Sequence, residues 1–481
     1  MTAKKHPRGL LAAWALALAC QAAAQIPPEV HARLEEARLP DEALAFVVQR
    51  ASDGRTVAAH QAERSVQPAS TLKLLTSIVA LDRLGPAYRG RSTLLASGPV
   101  AKGVLHGDLV LRGEGDVDLD AQALEHMLRI ARLKGVREIR GDLVLDRTFF
   151  QPARTDEGVP PFDDTPEFRY NVIPDALLLN TNLIELDLVS DDRQVSVGMS
   201  TPLEGVSVKS RLTLVDGDCD SWDDGWQLPE VRMLARGRIE VALRGTYPRD
   251  CRTSTAINVI DRVTFAERMV RAIWKDLGGT FRGRARDGVT APGARVLATH
   301  RSRPLAQVVH DIDKSSDNPI ARVVYLALGA ASPGEGPTAQ RAEAAVRQWM
   351  AARRIDDAAL VLENGSGLSR RERTTPAQLA AVLRAALASP WAAEFTASLP
   401  VVGVEMRPRM DGVPADARAR FKTGTLRNSS ALAGYVTDRD GAPYIVVAVL
   451  NDDAARKEIA RPILDALVES LLATGFSGTR P

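Results

Sequence analysis

Between about residues 90 and 290 this chain changes texture, and that change limits what it can fold into more than any other feature. On both sides, apolar-periodic stretches long enough for helices stand beside apolar strands. Between them come short strands, Gly-rich turns and few long helices. "AFVVQRASDGRTVAAH", 44–59, reads as two strands around an Asp53-Gly54 turn, with a helix starting near Ser70. The far end mirrors this: "SSALAGYVTDRDGAPYIVVAVLN" reads as two strands around Asp440-Gly441, before an amphipathic helix near 454–473. Helical patterns fill the span after about 290, in "PLAQVVHDIDKSSDNPIARVVYLALG", in 338–354 and in "TPAQLAAVLRAALAS". Strands from both ends with helices between predict one α/β (α+β) domain built from residues 25–90 and 290–481, with 91–289 inserted as a mostly β region. A loop tip tolerates such an insertion because the two ends of the host stay close together. A chain of 481 residues also exceeds what one core usually holds.

Inside the insert "GDLVL" occurs twice, at 107–111 and 141–145, and "AQALEHMLRIARLKG" between them has helical periodicity. The stretch therefore reads as strand, helix, strand, a two-copy echo and not a solenoid. "GEGDVDLD" imitates a calcium loop but lacks glycine at the sixth loop position and has Met127 at the twelfth, where a bidentate Glu belongs. The seven histidines are scattered, without HExxH or a Cys/His cluster, so no metal and no cofactor is expected. A net charge of +2 with no basic run sets aside a nucleic-acid partner.

The first residues, "MTAKKHPRGLLAAWALALACQAAAQ", combine a basic start (Lys4, Lys5, Arg8), an apolar stretch from Leu10 to Ala19, and small residues Ala22 to Ala24. This is the pattern of a secretory signal peptide, residues 1–24, and is too short for a membrane span. Cys20 offers a lipoprotein alternative that fits less well, since Ala17 stands where a lipobox prefers Leu. The reading is a periplasmic protein with no transmembrane anchor in its mature chain. Cleavage would leave Cys219 and Cys251, which can form a disulfide in an oxidising compartment; the alternative is two buried thiols.

Three short motifs carry candidate chemistry. "PASTLKLLTS" places Ser70 and Lys73 at i and i+3, on one face of a helix. Lysine can take a serine proton only if desolvation or a nearby cation lowers its pKa. Otherwise Ser70 is a helix N-cap and Lys73 a solvated first-turn residue. "KSSDNP" holds Ser316, Asp317 and Asn318, equally plausible as a capping cluster. "FKTGTL" holds Lys422, Thr423, Gly424 and Thr425 at the start of an apolar run that reads as a core strand. Together S-x-x-K, S-D-N and K-T-G form the signature set of penicillin-binding proteins and β-lactamases. In that chemistry Ser70 attacks an acyl carbon and Lys73 takes its proton. Ser316 relays a proton to the leaving amine, and Asn318 holds the substrate amide. Lys422, Thr423 and Thr425 bind a terminal carboxylate, and Gly424 lets the strand pass close to the substrate. The backbone N–H groups of Ser70 and Thr425 make the oxyanion hole.

The chain resembles the class C low-molecular-mass penicillin-binding proteins, the D-alanyl-D-alanine carboxypeptidase/endopeptidase family of the bacterial periplasm. The resemblance rests on Ser70 to Lys73, "GDLVLRGEGD", "GDLVLDRTFF", "YNVIPDALLLNTN", Ser316-Asp317-Asn318, "ENGSGLSR", "LPVVGV" and "KTGTLRNSSALAGYV". It departs at 404–410, "VEMRPRM", where the family usually reads Gly-Thr. It implies peptidoglycan stem peptides as substrates, β-lactams as covalent inhibitors, and an insert of two small domains. These would be about 105–168, and 91–104 together with 169–289. The oligomeric state stays open, a homodimer included. A β-lactamase would need E-x-x-L-N or Y-x-N to activate water, and "DALLLN" at 175–180 lacks the Glu. An inactive penicillin-binding sensor need not keep all three motifs, and a Ser-His-Asp esterase would need G-x-S-x-G.

Overall fold

The computed structural model describes residues 26–160, 162–406, 419–438 and 440–474. The signal-peptide pattern at 1–24 lies outside the described residues, as does most of the divergent 404–410 segment.

Both ends of the chain meet in one antiparallel sheet, in the order Ala419–Leu426, Ser429–Thr437, Pro443–Asn451, Leu44–Arg50, Thr56–His60. The N-terminal hairpin docks on the C-terminal one through the register Leu44↔Leu450 to Arg50↔Tyr444. Side chains alternate between the faces of a strand, and helices cover both faces here. Phe46, Val48, Val446 and Ala448 pack with Val30, Leu34, Leu464 and Leu467 of helices Pro28–Glu36 and Lys457–Thr474. Val47, Ala433, Tyr435 and Val447 pack on the other side with Leu75, Ile78, Val309 and Leu379. Burial on both faces explains why "YIVVAVL" is apolar throughout instead of alternating.

The two "GDLVL" copies form neighbouring parallel strands, Leu109↔Leu143 to Leu111↔Leu145, joined through helix Ala121–Leu133. They belong to a five-stranded sheet that also contains Arg91–Ala96, Ala285–Asp287 and Arg295–Arg301. Two expected boundaries change as a result. Arg295–Arg301 pairs with Arg91–Ala96, so the chain is still in the insert's sheet beyond residue 290. Arg91–Ala96 also pairs with Leu109–Glu114, which cuts across the expected division near 105. Strands Ile184–Ser190 through Arg252–Ile257 form separate sheets. There Cys219 and Cys251 are disulfide-bonded, with Cα atoms 5.3 Å apart. Among the described residues no helix is long and apolar enough to cross a membrane.

The insert also touches the terminal domain. Phe150, Val172, Ala176 and Leu178 pack against Val323 and Leu326 of helix Asn318–Ala331, bringing segment 163–172 beside the S-D-N motif.

Candidate active site

Ser70 stands in a single 3₁₀ turn, Ala69–Leu72, that runs into helix Lys73–Leu84. No side chain caps that turn, so Ser70 is not an N-cap. Lys73 is fully buried, so it is not a solvated surface lysine. Its Nζ lies 3.0 Å from Ser70 Oγ, 2.5 Å from Asn318 Oδ1 and 2.6 Å from the Ser366 carbonyl oxygen. Removal from water, and then the charge of Lys422, hold the ammonium well below the ordinary lysine range, against the pull of Glu372, Asp313 and Asp317. An amine in that state can accept a hydroxyl proton.

The S-D-N residues divide two tasks. Helix Leu305–Ser315 ends at Ser316, whose φ of 61° is left-handed and costs a non-glycine residue about 1–2 kcal/mol. Asp317 caps the next helix by accepting from Ile320 N at 2.8 Å, and its carboxylate also pairs with Arg169 at 2.7 Å. The capping reading therefore holds for Asp317 alone. Ser316 and Asn318 line a cleft of about 780 Å³ together with Ser70 and Thr425.

Lys422 lies in Ala419–Leu426, which is the edge strand of the sheet and not a central one. Its Nζ donates to Ser316 Oγ and to the Thr423 carbonyl, both at 2.9 Å. Burial pushes its ammonium down to about 8, while Asp313 pulls it upward. Thr423 is partly exposed just outside the cleft lining, and Thr425 is exposed within it. Gly424 packs on the Ser70 turn so closely that a Cβ there would lie 2.6 Å from Ser70 N. The strand thus runs against the very amide assigned to the oxyanion hole.

The family model for D-Ala-D-Ala carboxypeptidase 3 (S13) matches residues 27–470. The chain belongs to that family. Membership makes it a serine-type D-Ala-D-Ala carboxypeptidase and a class C low-molecular-mass penicillin-binding protein. A D-alanyl-D-alanine carboxypeptidase of Actinomadura sp. (strain R39) is 29% identical over 440 residues, 87% of this chain and 79% of that protein. The D-alanyl-D-alanine carboxypeptidase DacB of Haemophilus influenzae is 24% identical over 427 residues, 86% of each chain. The crystal structure of penicillin binding protein 4 (dacB) from H. influenzae matches with a TM-score of 0.76 at 23% identity, covering 94% of this chain and 100% of that one. The fold is therefore that of the serine DD-peptidases and β-lactamases.

This S13 peptidase builds its site from more than the three motifs. Glu372 is fully buried and accepts backbone N–H bonds from Glu363, Asn364, Gly365 and Gly367, at 2.8–3.2 Å. It fastens the loop whose Ser366 carbonyl meets Lys73 and whose Gly367, at φ +77°, would with a Cβ strike Ala69 O at 1.8 Å. Desolvation raises the Glu372 pKa despite those bonds. Asp313, also buried, is pushed up to about 6 and accepts from Ser398 Oγ at 2.7 Å. The insert contributes Asp163 and Tyr170 to the cleft, and the Tyr170 carbonyl accepts from Asn318 Nδ2 at 3.1 Å. In the sequence, the Gly-rich "ENGSGLSR" and the "YNVIPDALLLNTN" stretch that opens at Tyr170 were signs of this surrounding, while Glu372 and Asp313 carried none.

Proposed function

We propose that this S13 peptidase is a periplasmic serine D-alanyl-D-alanine carboxypeptidase and endopeptidase. It cleaves peptidoglycan stem peptides through an acyl-enzyme on Ser70 and is acylated by penicillins. The observation that carries this is the fully buried Lys73, with Nζ 3.0 Å from Ser70 Oγ and its ammonium disfavoured.

Ser70 Oγ attacks the carbonyl carbon of the penultimate D-alanine as its proton passes to Lys73. The N–H groups of Ser70 and Thr425 hold the oxyanion. The C–N bond then breaks, with Ser316 relaying a proton to the departing amine, and water releases the acyl group. Lys422, Thr423 and Thr425 hold the carboxylate of the leaving residue. A cross-link through the D-centre of diaminopimelate keeps a free carboxylate beside the attacked amide, so one pocket serves both carboxypeptidase and endopeptidase reactions. A β-lactam presents the same carboxylate, but its broken C–N bond leaves the amine tethered. A β-lactam complex is known for the H. influenzae protein. Export is supported by the pattern of residues 1–24 and by the Cys219–Cys251 disulfide, which belongs in an oxidising compartment.

Mass spectrometry after incubation with benzylpenicillin tests the reading. One long-lived penicilloyl group on the Ser70 peptide, absent in Ser70→Ala, is the expected result. Rapid nitrocefin turnover without an adduct would instead indicate a β-lactamase.

A further inference from the structure

Lys73 and Lys422 are both buried, and among the described residues neither has a carboxylate within hydrogen-bonding range. Their bonds go to serine hydroxyls, the Asn318 amide and backbone carbonyls instead. A buried ammonium without a counter-charge is costly. One acid in this region has no task in the chemistry above. Asp313 stands near the end of helix Leu305–Ser315, wholly out of solvent, on a helix that packs into the apolar core through Val309 and Ile312. Its carboxylate accepts from Ser398 Oγ at 2.7 Å and from Ser77 Oγ at 3.3 Å, both neutral hydroxyls.

Those contacts set the carboxylate close to both lysines. Ser77 is one turn beyond Lys73 on the same helix face. Ser316, the hydroxyl that accepts from Lys422 Nζ at 2.9 Å, lies three residues beyond Asp313. The other charges around this point are engaged elsewhere. Glu372 accepts four backbone N–H bonds, Asp317 pairs with Arg169, Lys314 with Glu405, and Asp311 with Arg303 and His310. Burial pushes the Asp313 carboxyl up to about 6, so it is ionised where Lys422, at about 8, changes charge. Its charge is also what draws Lys422 upward against burial.

We propose that Asp313 is the buried counter-ion of Lys422, a positioning residue that acts through that lysine by keeping it charged for the substrate's carboxylate. Without Asp313 the Lys422 ammonium would face only dipoles, and burial would favour the neutral amine. A neutral amine offers no charge-assisted bond to an incoming carboxylate. The same aspartate also favours a proton on Lys73, opposing the charge of Lys422 there. This role rests on the proposed function, since it takes Lys422 as the cation that meets the carboxylate.

The test is the pH profile of the second-order rate constant for acylation by benzylpenicillin, measured by stopped flow for the wild type and Asp313→Asn. The asparagine keeps the shape of the side chain and removes its charge. The positions of the two limbs are read, and not the amplitude, so any loss of folded enzyme cancels. In Asp313→Asn the descending limb should move to lower pH by about one pH unit or more, and the ascending limb should move the same way. A purely structural role would lower the rate at every pH and leave both limbs in place. In a Lys422→Arg background, Asp313→Asn should leave the descending limb unmoved, because arginine stays charged without help. A descending limb that stays put in Asp313→Asn, or that moves as far in the Lys422→Arg background, would overturn the proposal. If the asparagine variant does not fold, Asp313→Ser carries the same prediction. If neither folds, adding Lys422→Met decides: recovered folding supports the pairing, and no recovery overturns it. A penicilloyl adduct on Ser70 with unmoved limbs overturns this inference alone. No acylation of the wild type overturns the proposed function and this inference with it.

Discussion

Alanine at position 424 should cripple acylation while leaving most of the fold standing. Its Cβ would come 2.6 Å from Ser70 N, 2.9 Å from Ala69 Cβ and 3.1 Å from Pro68 O. Favourable contacts lie near about 3.5 Å, so strand and turn must separate by roughly 0.5–1 Å. Neither side can swing away as a long side chain would. The strand is paired without a break from Ala419↔Val436 to Leu426↔Ser429, and the turn runs directly into helix Lys73–Leu84. Overpacking of this kind costs about 1–3 kcal/mol, so melting should fall by a few degrees only. The separation lands between Ser70 N and Thr425 N, the two proposed oxyanion donors. Misplacement by about 1 Å costs on the order of 10²-fold, and outright loss of one donor about 10²–10³-fold. The second-order rate constant for acylation by benzylpenicillin should therefore fall at least about 10²-fold. Stopped-flow acylation on samples checked by thermal melts measures both effects. Acylation within about threefold of the parent, with melting unchanged, would refute the claim that this strand presses on the Ser70 amide.

Lys73→Ala should lower acylation by about 10²–10⁴-fold, with Ser316→Ala retaining more activity because water can partly replace a relay hydroxyl; near-normal acylation by Lys73→Ala would remove Lys73 as the base. The pH profile of kcat/KM should rise as Lys73 gives up its proton and fall above about 8, where Lys422 loses the charge proposed to hold the carboxylate. Lys422→Arg, which stays charged, should carry the descending limb to higher pH, and a limb that does not move would assign it to another group. Replacing Cys219 and Cys251 by serine opens a loop with a sequence separation of 32 residues and should cost roughly 4 kcal/mol on the chain-entropy model. Denaturant unfolding of oxidised and serine proteins measures it, and equal stabilities would show the bridge to be thermodynamically idle.

Local chemistry was written in the chain itself. The Asp53-Gly54 and Asp440-Gly441 hairpins, the helix between the two "GDLVL" strands and the periodic helices after residue 305 follow from turn propensity and from periods of two and 3.6. Ser70, Lys73, Ser316, Asn318 and Lys422 stood out as candidates because S-x-x-K, S-D-N and K-T-G occur together in one chain. What no short window contains is which distant segments pair. Arg295–Arg301 joins the insert's sheet through long-range pairing with Arg91–Ala96. Glu372 looks like an ordinary charged residue in its local sequence. It acquires its place only when folding buries it beneath four backbone N–H groups. Lys73 shows the division within one residue. Its place three after Ser70 was legible, but its basicity depends on losing water to packed helices and on facing Lys422 across the site. Desolvation and through-space charge depend on distances in the folded chain, and only the tertiary structure sets those distances.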